Sequence, residues 1–368
     1  MEQKNRLPVT YEGAWSYDIL LETSYKGILT EIKKISKNTN RKICIVTDSR
    51  VAEIYLNNLV EILKTDFETV ETFVFPSGEA SKNLNTVQKL YEHLIINHFE
   101  RGDLLIALGG GVVGDLTGFA AATYLRGIDF VQLPSTLLSQ VDSSIGGKTG
   151  VDFSQYKNMV GAFNQPKLVY MNLDSLCSLP QEQFASGMGE VIKHGLIKDA
   201  SYFQFLLDDK EAILDLEQDN LFRMVAGSCK IKREVVQNDP KEQGERALLN
   251  FGHTIGHAVE KLSDFSLSHG ACVALGMVAA SYISHKIGNI SSQELDLIEK
   301  TISGYQLPIR LEHPKMNAEE ILAATKSDKK MSDGRVKFIL LKNIGTAYIS
   351  HEVDDSMLLS GINYILEK

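Results

Sequence analysis

The sequence predicts an α/β protein, with an N-terminal, mostly parallel sheet domain followed by a mainly α-helical domain. Three observations carry this. In the first half, short β-branched runs alternate with helical patterns, the order expected of βα units. From about Leu179 onward, Leu, Ile, Val and Met recur at three- and four-residue spacing, the stripe of an amphipathic helix. At 368 residues the chain also exceeds what a single core usually organises. The expected division is residues 1–178 and 179–368, with the cleft between them as the expected place for chemistry.

In chain order, the predicted strands of the first domain are Lys42–Thr47, Glu71–Phe75, Asp103–Leu108 and Phe130–Leu133. The helical patterns between them are Val51–Lys64, Asn83–His98 and Val112–Tyr124. The second domain reads as helices over Phe184–Ile197, Phe203–Leu214, Asn220–Val236, Ala271–Ile287 and Ser292–Ile302. Lys337–Leu341 and Thr346–Ser350 predict a late hairpin, and Ser327–Arg335 a charged loop before it. No internal repeat or low-complexity segment is visible.

Composition narrows the function classes. With 43% hydrophobic and 23% charged residues the chain is not a disordered one, and no apolar run reaches the length of a membrane span. The polar start Met1-Glu2-Gln3-Lys4-Asn5-Arg6 lacks the apolar segment of a secretory signal, so cytoplasmic residence is expected. Cys44, Cys177, Cys229 and Cys272 form no C-x-x-C pair, which argues against a disulfide framework and a thiolate zinc site. A net charge of −9 disfavours nucleic acid and requires a local basic pocket for any anionic substrate.

Asn250-Phe251-Gly252-His253-Thr254-Ile255-Gly256-His257, followed by Ser268-His269-Gly270, sets three imidazoles in one short span. On a helix His253 and His257 share a face, the geometry for one metal or for proton transfer; buried, hydrogen-bonded histidines are the plainer reading. Gly187-Met188-Gly189-Glu190-Val191-Ile192-Lys193-His194-Gly195 adds a carboxylate in an apolar helix, either paired with Lys193 or ligating a metal. Gly109, Gly111 and Gly114, running from a strand into a helix, fit the dinucleotide pattern G-x-G-x-x-G, which is weak alone and lacks the usual downstream acid. Asp48 and the loop Ser77-Gly78-Glu79-Ala80-Ser81-Lys82 offer polar groups nearby in the pattern.

The stretch Pro134–Gly150 is dense in hydroxyls and glycine and carries one cation, Lys148. Its Gly-Lys-Thr triplet lacks the leading glycine of a P-loop, so ATP binding is rejected on spacing. With Arg126, Lys157 and Asn158, Lys148 could complete an anion pocket, although each alone is more often a solvated surface group. Lys230 to Arg246, just before the histidine motif, alternates in charge, as a solvated helix end also would.

Taken in order, G-G-G-V-V-G-D, P-S-T-L-L-S-Q-V-D-S-S-I-G-G-K-T-G, G-M-G-E-V-I-K-H-G, L-L-N-F-G-H-T-I-G-H-A and L-S-H-G closely resemble the 3-dehydroquinate synthase family of sugar-phosphate cyclases, over nearly the whole chain. The resemblance implies a Rossmann-like NAD-binding domain, a helical metal- and substrate-binding domain, and a homodimer. It implies the shikimate-pathway conversion of 3-deoxy-D-arabino-heptulosonate 7-phosphate to 3-dehydroquinate with release of phosphate. NAD+ and Zn2+ or Co2+ are the implied cofactors. Glu190, His253 and His269 correspond to the metal ligands, and His257 to an acid/base or substrate-positioning group. Asp48, Ser77, Gly78, Glu79, Ala80, Ser81, Lys82, Gly110, Gly111, Val112, Val113, Gly114, Asp115, Ser135, Thr136, Leu138 and Asp142 correspond to dinucleotide contacts. So do Lys148, Lys157 and the loop Ser175, Leu176, Cys177, Ser178 and Leu179. Arg126, Lys148, Lys157 and Asn158 correspond to phosphate contacts. Lys193, Lys232, Asp239, Glu242, Arg246 and Asn250 correspond to the remaining substrate and catalytic groups, with Lys337 the candidate for a further C-terminal lysine.

Three departures stand out. Ser135 replaces a common Thr, Gly189 a common Ala, and Pro240 a usual acid, where it restricts Asp239. The alternatives are another sugar-phosphate cyclase, whose substrate lacks the carboxylate expected opposite Arg246, Lys232 and Asn250, and a metal-dependent polyol dehydrogenase with net NADH formation.

Overall fold

A computed structural model describes residues 5–35, 40–154, 156–264, 266–312, 316–326, 331–332 and 335–367. The chain divides into two units, Met1–Leu179 and Pro180–Lys368.

The first unit contains strands β1 (Arg6–Tyr11), β2 (Ala14–Glu22), β3 (Ile43–Asp48), β4 (Val70–Phe75), β5 (Leu104–Gly109), β6 (Asp129–Pro134), β7 (Lys148–Phe153), β8 (Tyr156–Phe163) and β9 (Leu168–Asn172). Its helices are α1 (Ile28–Ile35), α2 (Ser49–Val51), α3 (Asn57–Leu63), α4 (Leu84–Ile96) and α5 (Gly111–Thr123), with π-helical turns at Ala52–Leu56 and Ser139–Ser143. Seven strands form one sheet in the order β1-β2-β9-β6-β5-β3-β4. Only the β1–β2 pairing is antiparallel. From β3 the chain moves outward to β4, then returns to place β5 on the other side of β3. The strand order therefore reverses between β3 and β5, and in open α/β sheets ligands bind at the carboxyl ends of the strands flanking such a reversal.

Alternation along each strand supplies two cores. Cys44 and Val46 of β3, with Leu105 and Ala107 of β5, face Leu90 and Leu94 of α4 and Leu116 of α5. Their neighbours Ile43, Ile45, Leu104 and Ile106 point the other way, to Ile28 and Ile32 of α1 and Leu59 and Leu63 of α3. A sheet covered on both faces needs near-continuous apolar strands, which is why these runs were legible. Four of the strands absent from the sequence reading have identifiable causes. β1 is an edge strand carrying Pro8, β9 is a short apolar run with no period of its own, and the β7–β8 hairpin lies in glycine- and hydroxyl-rich sequence.

The second unit has α6 (Gln181–Lys198), α7 (Ala200–Asp208), α8 (Lys210–Leu214), α9 (Gln218–Asn238), α10 (His253–Leu262), α11 (His269–Lys286), α12 (Ser292–Gly304), α13 (Ala318–Lys326), strands β10 (Met331–Ser332), β11 (Arg335–Val336), β12 (Phe338–Asn343) and β13 (Thr346–Ser350), and α14 (Asp355–Leu366). The predicted late hairpin is β12–β13. The helix expected over Phe203–Leu214 is broken at Asp209, whose carboxylate accepts from Asn220 Nδ2 at 3.1 Å. The expected charged loop Ser327–Arg335 is corrected in part, since Met331–Ser332 pairs with Arg335–Val336. Its residues 327–330 and 333–334 lie outside the described ones.

Helix α11 is buried on every side from Gly270 to Ser281, so it is the central element of this unit. Helices approach it closely because glycines meet backbone. A Cβ at Gly189 of α6 would lie 2.9 Å from the Gly270 carbonyl oxygen, and one at Gly256 of α10 would lie 2.7 Å from that of Cys272. Gly252 precedes α10 at φ +80, where other residues are strained. Gly276 faces the Gly252 carbonyl with no room for a side chain. Gly276→Ala is therefore expected to destabilise the protein by about 1–3 kcal/mol or more, read as a lower urea midpoint; an unchanged midpoint would show that the helices part freely.

Candidate active site

In the first unit the glycine loop lies at the carboxyl end of β5, beside the reversal in strand order. Gly110 is the residue before α5, so the backbone N–H groups of the first turn are available to an anion. A Cβ at Gly110 would meet Thr136 at 3.3 Å, one at Gly111 would meet Ser143 at 3.2 Å, and one at Gly114 would come within 2.8 Å of Gln132 Oε1. Close approach therefore draws Ser135–Asp142 against the helix. Gln140, buried in the π-helical turn, donates to the carbonyls of Pro134 (3.3 Å) and Asn172 (3.2 Å) and to Ser175 Oγ (3.2 Å). This ties the hydroxyl-rich segment to the Ser175–Leu179 loop, whose Ser178 also meets the Tyr55 hydroxyl. Asp48 ends β3 and accepts from the backbone N–H groups of Arg50 (2.9 Å) and Val51 (3.1 Å).

Lys82 closes the exposed loop of Ser77, Gly78, Glu79 and Ala80. Its Nζ donates to Asp115 Oδ2 and to Asn158 Oδ1, each at 2.6 Å. Burial works against the ammonium, but Asp115 outweighs it and raises the Lys82 pKa. The structure thus joins residues assigned separately to dinucleotide and phosphate. The other expected phosphate contacts are spread out. Arg126 is exposed in the turn after α5, Lys157 is half-buried on β8, and exposed Lys148 pairs with Phe163 at the far end of the hairpin. About 13 Å of strand separates Lys148 from the level of Asn158, so one anion would be shared only through the length of the lysine side chain.

In the second unit α6, α10 and α11 bring Glu190, His253 and His269 together. Glu190 is fully buried; its Oε1 lies 3.6 Å from His253 Nε2 and 3.4 Å from His269 Nε2, while Oε2 pairs with buried Lys193. One ligand atom from each of Glu190, His253 and His269 lies within 4.8 Å of the others. The far ring nitrogens are held as well: His253 Nδ1 lies 3.2 Å from the Phe251 carbonyl, and His269 Nδ1 lies 3.7 Å from Glu260. Orienting partners of this kind turn imidazole lone pairs toward a metal, and a carboxylate with two Nε2 atoms is a donor set that leaves positions open for substrate. The residues fit a divalent ion. Burial opposes charge on His269, but Glu190 and Glu260 outweigh it and push its pKa up to about 9.

His253 and His257 do stand one above the other on α10, with ring centroids 5.0 Å apart. Among the described residues no potential metal group contains both; His257 instead falls with Glu260 and His269. Glu260 was missed in the sequence although it follows His257 by three residues, the spacing of one helical face. Also unforeseen is the fully buried His194, whose Nδ1 meets Ser228 Oγ at 2.6 Å and links α6 to α9.

Lys232 and Arg246 are buried cations, and Asn250 Nδ2 donates to Glu242 Oε1 at 3.0 Å. Asp239 ends α9 at φ −142, ψ 74, outside the helical region that the following Pro240 disfavours. Its carboxylate accepts from the backbone N–H groups of Gln243 (2.8 Å), Gly244 (2.7 Å) and Arg246 (3.0 Å). Arg246 Nη1 in turn donates to the Pro240 carbonyl at 2.7 Å. Lys337 is exposed just before β12.

The family profile "3-dehydroquinate synthase N-terminal" matches residues 72–186 and "3-dehydroquinate synthase C-terminal" matches residues 187–331. A 3-dehydroquinate synthase of Prochlorococcus marinus (strain MIT 9215) is 40% identical over 351 residues, covering 94% of this chain and 96% of the relative. Among solved structures, 2-epi-5-epi-valiolone synthase of Streptomyces hygroscopicus, with NAD+ and Zn2+ bound, superposes with a TM-score of 0.87 at 25% identity, covering 98% of this chain and 99% of the other. A 2-deoxy-scyllo-inosose synthase complexed with carbaglucose-6-phosphate, NAD+ and Co2+ gives 0.86 at 23% identity, covering 98% and 100%, and so shares the fold.

Burial tends to raise the Asp239 pKa, but the three backbone donors outweigh it and hold the carboxyl below its usual range. A lowered folded-state pKa contributes stability above the unfolded value of about 3.9 and loses it as pH falls through the folded value. The gap in Tm between the wild-type protein and Asp239→Ala is expected to be full at neutral pH and to close as the pH drops below about 4; a gap independent of pH would contradict this account.

Proposed function

Because the chain belongs to the 3-dehydroquinate synthase family, we propose that it converts 3-deoxy-D-arabino-heptulosonate 7-phosphate to 3-dehydroquinate and inorganic phosphate. The observation that carries this reading is the convergence of Glu190 Oε1 with the Nε2 atoms of His253 and His269, in a chain with this family's sequence. Glu190, His253 and His269 would hold the divalent ion, Zn2+ or Co2+. The glycine loop with Asp48, Lys82, Asp115, the Ser135–Asp142 segment and the Ser175–Leu179 loop would hold NAD+. When bound, NAD+ supplies reversible hydride transfer at the C5 carbinol, and the ion supplies Lewis acidity there.

The side chains of the protein do the remaining work. Lys232, Arg246 and Asn250 meet the carboxylate end of the substrate, the feature that separates this substrate from sugar phosphates lacking a carboxylate. Asn158, with the long side chains of Lys148 and Lys157 on the same hairpin, would receive the phosphate, whereas Arg126, expected with them, lies in the turn after the far end of α5. Oxidation at C5 would make the adjacent C–H acidic, and that proton would pass to an oxygen of the substrate's own phosphate as the phosphate departs from the neighbouring carbon. Return of the hydride, opening of the hemiketal and an intramolecular aldol closure would then form the carbocycle. His257, packed against the rings of His253 and His269, is the group suited to moving a proton near the reacting oxygens. Lys193 pairs with the second oxygen of Glu190 and so balances the charge of that buried carboxylate.

The working unit is a homodimer in this reading. Phe153, Tyr156, Met159 and Phe163 of the β7–β8 hairpin are 53%, 54%, 43% and 54% exposed, an apolar surface suited to burial against a second copy. Cytoplasmic residence accords with four cysteines that form no disulfide. No described helix is long and apolar enough to cross a membrane.

Catalytic NAD+ is expected to support many turnovers, with phosphate released in step with cyclic product and NADH absorbance held near one equivalent per site. In the same assay His269→Ala is expected to lose bound metal and turnover together. Stoichiometric NADH without phosphate would replace the synthase by a polyol dehydrogenase. For the dimer, sedimentation equilibrium is expected to give twice the 40.9 kDa chain mass; the double variant Tyr156→Asp, Phe163→Asp is expected to sediment as a monomer, and an unchanged dimer would move the interface elsewhere.

A further inference from the structure

We propose that Lys82 is a positioning residue that fixes the amide of Asn158, so that its N–H donors face outward to a phosphate oxygen of the substrate. The inference rests on the phosphate site of the proposed function and adds the device that orders it. An ammonium has donors only, so the amide atom that faces it must be the carbonyl oxygen. The two flips of an asparagine amide are ordinarily hard to tell apart, but here one of them would set an NH2 group against a buried cation. With Asn158 Oδ1 held 2.6 Å from Lys82 Nζ, the Nδ2 donors are turned away from the lysine. Asn158 is exposed while Lys82 is only 5% exposed, so the anchor is rigid and the presented donors are open to a ligand.

Three further bonds lock the arrangement before any ligand arrives. Asp152 N donates to the Lys82 carbonyl at 2.8 Å, and Asn158 N donates to Asp152 Oδ1 at 2.7 Å. With Asn158 Oδ1 accepting from Lys82, these bonds form a closed circuit through Lys82, Asp152 and Asn158. Asp115 Oδ2, 2.6 Å from the same ammonium, balances its charge and fixes it to α5. Within this circuit Asn158 takes φ +53, a left-handed conformation that asparagine tolerates better than most residues. Donors oriented in advance bind an anion without an ordering cost at the moment of binding.

The test is a double-mutant cycle on inhibition by inorganic phosphate, competitive with the substrate, using the full-length enzyme with its cofactors. Lys82→Met and Asn158→Ala are each expected to raise the phosphate inhibition constant by roughly tenfold. Together they should raise it little further, because either change alone already loses the oriented amide. Asn158→Asp keeps an acceptor for Lys82 but has no amide donors, so phosphate inhibition should weaken by roughly tenfold or more, with NAD+ affinity, titrated separately, unchanged. Lys82→Arg, which retains donors, should recover part of the loss. Lys82→Leu, which also lacks a donor, replaces Lys82→Met if the latter fails to fold. Additive effects, or a phosphate constant unmoved in the lysine variant, would overturn the positioning role while leaving the synthase reading intact. A wild-type enzyme that phosphate does not inhibit would remove the anion pocket, and this inference with it.

Discussion

A carboxylate buried in the middle of a helix is the constraint on which the helical unit depends. Glu190 carries no solvent exposure, and an ion so placed costs several kcal/mol unless partners surround it. Its two oxygens divide the task, one toward Lys193 a turn later on the same helix and one toward imidazoles from α10 and α11. Three helices must therefore approach within side-chain reach of one point. The glycines along their crossings, with Gly189 against Gly270 and Gly256 against Cys272, make that approach possible. Packing and donor geometry are one requirement here, because a helix held farther out would carry its histidine away from Glu190.

The sheet unit solves a different problem by a related economy. Its reversal between β3 and β5 leaves a crevice where helix N-termini and glycine loops meet. The anion-binding capacity of such a place comes from backbone groups and needs few charges. The charge that is present, Lys82, is buried and shared between Asp115 and Asn158. It holds together a loop, a helix and a hairpin that are distant in sequence. The loop after α9 is ordered in the same manner, with Asp239 gathering backbone donors and so setting the place of Arg246.

Much of this was legible in the chain because the relevant signals are local. Strands β3, β5 and β6 announce themselves as apolar runs, since both their faces are covered. Helices α9 and α12 announce themselves by period, and α11 by the length of its apolar run. The histidine and glutamate motifs stand out because charged or ligating groups in apolar helices are costly and therefore rarely incidental. The hairpin β7–β8 and strand β9 were not legible, because hydroxyl- and glycine-rich sequence and a short apolar run each suit more than one local structure.

The sequence by itself determined the α/β-then-helical order, the glycine turn after β5 and which residue types were available as ligands, because each follows from propensity or spacing within a few residues. Local spacing did not decide how those groups associate; the family resemblance pointed to Glu190, His253 and His269, and it is the helix crossings that bring them together. Spacing on α10 favoured His253 with His257, yet the helix crossings join His253 to Glu190 and His269, which lie 63 and 16 positions away in sequence. Pairing of Lys82 with Asn158, across 76 residues, and the service of Glu260 to His269 follow the same rule. Such contacts depend on where packing brings separate elements together, and no local pattern encodes that distance.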